Sequence, residues 1–118
     1  MTPTKSSPTG ATPDRPRAAE RRAARRFPLL QKCLARPEGS SGLADWHGIV
    51  YNLSTSGVGL SLPYPVPPGT ILIIEPWDLP APALRACVVR SALVAFAWFH
   101  GCALTHPLND DELQSWLK

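Results

Sequence analysis

The sequence predicts an all-β domain: a small antiparallel six-stranded barrel with a short C-terminal α-helix and a disordered N-terminal arm. Three observations carry this. Short apolar, often β-branched runs recur from Pro28 onward between clusters of proline, glycine and serine. Helical spacing appears clearly only after Asn109. The first 19 residues hold four prolines and, after Met1, no large apolar side chain. Short strands with frequent turn signals and one closing helix suit a small closed sheet.

The arm comes first. Residues 1–19 cannot bury enough apolar surface to offset the entropy of ordering them. We therefore divide the chain into an arm, 1–19, and a folded domain, 20–118. The charge follows the same division. Seven cations against two anions through Arg26 give +5; five against seven give the rest −2, which together make the overall +3. An anionic partner meets the arm first.

The strands follow in order. In "LLQKCLAR", Leu30, Lys32 and Leu34 fall on one face, and Leu29, Gln31, Cys33 and Ala35 on the other. "PEGSSG" is a loop by composition. "DWHGIVYNL" and "GVGLSL" are strands around a small polar cluster. "PYPVPPG" lacks ladder donors and is a connector. "TILIIE" is a core strand, and "EPWDLPAPA" a loop or an edge. "LRACVVRSALVAF" and "AWFHGCAL" are two long strands joined by a turn that the pattern does not locate. In "DDELQSWL", Asn109 or Asp110 can cap a helix with acids in its first turn. Leu113, Trp116 and Leu117 then form one apolar stripe that can lid the barrel.

Several function classes are disfavoured. No apolar h-region follows the basic residues of the arm, and no apolar run is long enough to span a membrane. The expected location is cytoplasmic, which weighs against reading Asn52-Leu53-Ser54 as a glycosylation acceptor. Cys33, Cys87 and Cys102 are odd in number and lack metal or redox spacing, so they read as small apolar residues. His100, Cys102 and His106 lack obvious further ligands for a metal. Asp45 and His47 accompany Ser54 without a G-x-S-x-G elbow. Trp46, Trp77, Trp98 and Trp116 read as core and rim rather than a stacking platform. The expectation is a binding module without catalysis, cofactor or metal.

Two motifs remain. "ERRAARRF" places Arg21, Arg22, Arg25 and Arg26 at the entrance to the β domain. Arginine makes paired hydrogen bonds to phosphate or guanine and stacks its flat face on bases. The plain alternative is a solvated charge run or a loose RNA-binding arm. "NLSTSG" puts Asn52 and Ser54 on one side of an extended chain, with Gly57 permitting a turn or a close approach. The plain alternative there is a hairpin with polar turn residues.

In order, and about 25 residues apart, RxxxR (Arg22 to Arg26) and [DN]xSxxG (Asn52, Ser54, Gly57) resemble the PilZ domain, a bacterial receptor for cyclic di-GMP. "RRFPLL" is similar to the family's entry into its first strand, "PYPVPPGTILIIE" to its turn and following strand, and "RACVVR" and "FHGCAL" to its two late strands. The resemblance covers roughly residues 20 to 117 and implies a barrel closed by a C-terminal helix. Leu104 departs from the family's frequent phenylalanine. Arg21 to Arg25 also satisfies the first spacing; Arg22 to Arg26 is preferred because Arg26 directly precedes Phe27-Pro28.

The resemblance implies that Arg21, Arg22, Arg26, Asn52, Ser54 and Gly57 bind cyclic di-GMP. The arm would order over the ligand and signal to a downstream protein. The surplus of arginine points to two stacked ligand molecules per chain. The rivals are a PilZ-fold interaction module without nucleotide binding and a nucleic-acid binder that uses the basic arm.

Overall fold

The structure, a computed structural model, describes residues 25–40 and 45–117. The arm, 1–19, and the arginines Arg21 and Arg22 lie outside the described residues. Six strands form the body: β1 (Phe27–Pro37), β2 (Trp46–Leu53), β3 (Gly57–Leu62), β4 (Ile71–Pro76), β5 (Leu84–Val94) and β6 (Ala97–Leu104). They close in the order β1-β2-β3-β6-β5-β4, and every neighbouring pair is antiparallel. Helix α1 (Asp110–Leu117) follows. This is the expected fold class.

Alternation sets what points inward. In β1, Cys33 and Ala35 are fully buried, while Leu30 stands outside at 77% exposure. The interior is filled by Val50, Leu53, Val58, Leu60, Leu72, Ile74, Leu84 and Val88. Each such side chain contributes about 1.5–3 kcal/mol by leaving water. Burial pushes the Cys33 thiol up to about 11 and that of Cys102 to about 12. Both are therefore neutral packing residues near neutral pH.

Register shifts in β1 after Pro28, in β2 at Tyr51 and in β5 at Val89 interrupt the ladders. Each bends its strand and raises the local twist, which helps so few strands close. The turn that the pattern could not locate falls at Ala95-Phe96. Their φ values of 47° and 73° lie in the left-handed region, where a two-residue hairpin normally places asparagine and glycine. Past Glu75-Pro76, the "EPWDLPAPA" stretch is loop rather than strand.

Two anchors fix the connectors. The Val66 amide in the proline-rich segment donates to His100 Nε2 at 2.9 Å. An accepting Nε2 requires the neutral ring with its proton on Nδ1, and burial lowers the His100 pKa. At the helix, the Glu112 amide donates to Asn109 Oδ1 at 2.8 Å and the Asn109 amide to Glu112 Oε1 at 3.0 Å. This capping box settles the cap on Asn109. Leu113 and Trp116 are buried, and Trp116 Nε1 donates to the Pro82 carbonyl at 2.9 Å. No helix among the described residues is long and apolar enough to cross a membrane.

Candidate functional site

The polar cluster between β2 and β3 is a turn closed on itself. The Ser54 amide donates to the Gly57 carbonyl at 2.9 Å. Ser54 Oγ accepts from the Gly57 amide at 3.0 Å and from the Ser56 amide at 3.2 Å. The Thr55 and Ser56 carbonyls accept from the Leu108 and Leu104 amides, each at 2.9 Å. The turn is thus held both by its own serine and by the chain leaving β6. Ser54 is only 2% exposed, so its hydroxyl faces the turn rather than solvent.

Asn52 presents its side-chain amide to Arg26. Arg26 Nη1 donates to Asn52 Oδ1 at 2.9 Å. The second guanidinium nitrogen lies 3.7 Å from where a β-carbon on Gly57 would stand, and that carbon would meet the Cys102 carbonyl at 3.2 Å. Gly57 therefore allows the β6 backbone to approach closely, while Arg26 rests beside it at ordinary contact distance. Arg25 does something else: its guanidinium sits 4.9 Å above the Phe27 ring. The structure brings Arg26, Asn52 and Gly57 together, with Ser54 beneath them.

Three residues missed in the sequence extend this surface. Asn52 pairs with Gly59 across β2 and β3, Gly59 with Gly101 across β3 and β6, and Gly101 with Arg90 across β6 and β5. They form one row over four strands, on the outer face of the barrel. A β-carbon on Gly59 would fall 2.7 Å from Asn52 Nδ2, and one on Gly101 3.3 Å from Arg90 Nε. Two bare glycines thus floor a strip, with Asn52 lying over one and Arg90 over the other. Arg36 pairs with Asp45 and Glu75, and Arg85 with Glu38. Among the described residues, Arg26 and Arg90 have no carboxylate partner. The only signal that could have found this row was the pair of glycines in "GVGL" and "FHGC".

His100 and Cys102 share the buried inner face of β6, while His106 lies exposed beyond it, 3.2 Å from Thr105 Oγ1. The PilZ domain profile matches residues 20–116. The chain belongs to the PilZ domain family. PilZ domains are cyclic di-GMP receptors as a family, and the match takes in both motifs. No curated protein matches the chain. The solved structure of the Bacillus subtilis inhibitor of motility, MotI/DgrA, is similar at 15% identity and a TM-score of 0.55. The alignment covers 78% of this chain and 46% of that one, so this PilZ chain spans less than half of its neighbour's length. At that identity the likeness shows the barrel fold.

Proposed function

We propose that this PilZ domain is a cyclic di-GMP receptor that holds its ligand on the outer face of the barrel, over the strip from Asn52 to Arg90. The observation that carries the reading is the Arg26–Asn52 hydrogen bond beside Gly57. It joins the two family motifs in one place and leaves donors of Arg26 free for phosphate or a guanine edge. Bare glycine backbone lets a flat base approach where a side chain would stand. Asn52 offers its amide, Ser54 keeps the lip in shape, and Gly57 keeps it open. Arg90 adds a second planar cation at the far end of the strip.

Arg21 and Arg22 lie just upstream of Arg26 in the chain, and we assign them to the ligand's remaining phosphate and base faces. Their segment cannot fold alone by composition, so binding would order it and form a new surface for a downstream protein. The number of arginines suits two stacked ligand molecules with four phosphates between them.

Calorimetric titration with cyclic di-GMP, with GTP and cyclic AMP as controls, tests the reading. The expected result is saturable binding of cyclic di-GMP alone, at two per chain. No binding would remove the function, and a clean 1:1 end point would remove the second molecule. Hydrogen exchange with and without ligand tests the arm. Protection is expected from Arg21 to Phe27, while residues 1–13 stay fast. Protection confined to Asn52–Gly57 would mean that the arm is not the switch.

A further inference from the structure

The far end of the β5–β6 hairpin is unfinished. Pairing of β4 with β5 runs only from Leu84 to Cys87, and the Val88 backbone bonds Thr70 and Gly69. Beyond that point β5 pairs with β6 alone, through to Val94–Ala97 at the tip. In a two-residue hairpin the closing pair is hydrogen-bonded, so Val94, Ala92 and Arg90 turn their backbone groups toward β6. Ser91 and Leu93 turn theirs outward. Among the described residues, nothing bonds those outward groups.

The same ribbon is apolar and exposed. Val89 is 60% exposed, Leu93 59%, Val94 56% and Phe96 fully so. Phe96 occupies a left-handed backbone position, which costs a bulky residue about 1–2 kcal/mol relative to glycine. Neither local conformation nor core packing accounts for a phenylalanine there. No charged residue and no proline occurs from Ser91 to Phe99. The usual protections of an open strand edge, charge and proline, are therefore absent.

We propose that this edge is a docking site for a second copy of the chain, which pairs antiparallel across a two-fold axis at Ala92. An edge strand is self-complementary under such an axis. Centring on Ala92 sets Ser91 of each copy against Leu93 of the other, the two positions with unused backbone groups. It also sets Arg90 opposite Val94 and keeps the two Arg90 side chains apart. The chain's own arm is a poor occupant, since residues 2–24 contain no large apolar side chain. Phe96 alone offers roughly 150–250 Å² to an interface. With Val89, Leu93 and Val94, it supplies a large part of the roughly 800 Å² that one partner contributes to a stable contact. The hairpins of the two copies would then form one continuous sheet.

Sedimentation velocity of the full chain across a range of concentrations tests this, with two variants that spare the barrel. Leu93→Pro removes an outward N–H that no described group uses. Phe96→Asn removes the apolar tip and suits a positive φ. The expected result is a monomer–dimer equilibrium in the native chain, weakened at least tenfold in each variant while thermal unfolding of the monomer is retained. Amide exchange at Ser91 and Leu93 should slow with concentration. A native chain that stays monomeric throughout would overturn the proposal. So would a dimer that both folded variants form as readily as the native chain.

Discussion

Asn52 lies flat across Gly59, with its amide nitrogen 2.7 Å from where a β-carbon of Gly59 would stand. The two residues face each other across β2 and β3, so any side chain at 59 must displace the amide that Arg26 holds. Gly59→Ala should therefore lower cyclic di-GMP affinity at least tenfold while circular dichroism still shows the barrel. Unchanged affinity in a folded variant would mean that the amide's placement is irrelevant to binding.

Arg26 and Arg90 hold opposite ends of the glycine strip, and each is exposed. Replacing either by alanine should cost about 1–3 kcal/mol of binding, the value of a bidentate contact. Stability should hardly change, because neither side chain supports the core. Arg26→Lys should restore little, since an ammonium cannot hold Asn52 and a phosphate in the same fork. Titration reads the binding and thermal unfolding the stability. Wild-type affinity in Arg90→Ala would confine the site to the motif end.

Ser54 should behave differently from its neighbours. Its hydroxyl accepts from two turn amides in a buried position, so Ser54→Ala leaves them unpaired. We expect a loss of about 1–3 kcal/mol in stability, read by urea unfolding, as well as weaker binding. A variant that bound weakly at native stability would instead place the hydroxyl on the ligand.

His100 predicts a pH dependence. Burial holds its folded-state pKa below the ordinary 6.5, and Nε2 is committed to the Val66 amide. Below about pH 6.5 the unfolded chain takes up the proton that the folded chain refuses. This share of stability is therefore complete above pH 6.5 and is lost as pH falls toward the folded pKa. Unfolding free energies measured from about pH 7.5 down to about pH 5, either side of the ordinary histidine pKa, should decline in the native chain, and by less in His100→Gln. Equal slopes would assign the decline to other groups.

Much of the fold was legible because its signals are local. Alternation in "LLQKCLAR" separated Cys33 and Ala35 from Leu30 as the structure does. Asn109, Asp110 and the acids after them lie within one helical turn, so a capped helix could be read there, and the hydrogen bonds between Asn109 and Glu112 then chose Asn109 as the cap. The resemblance to the two PilZ motifs also singled out Arg26, Asn52 and Gly57, which the structure brings together. The hairpin turn at Ala95-Phe96 was illegible because neither residue favours a positive φ. The conformation is imposed by the pairing of β5 with β6 on either side.

By itself the sequence determined which segments are strands, that a short helix follows the last of them and which two motifs belong to one family, since each depends on residues close in the chain. Only the tertiary structure decided that Ser54 turns inward, that Gly59 and Gly101 lie side by side, and that Arg90 closes the row begun by Asn52. The physical reason is register. A one-residue bulge at Tyr51 and another at Val89 set which residues face each other across four strands, and a shift of one position sends every side chain to the opposite face. That register is set by closure of the whole barrel and by the amides of Leu104 and Leu108 gripping the β2–β3 turn, contacts between residues some fifty positions apart that no local pattern encodes.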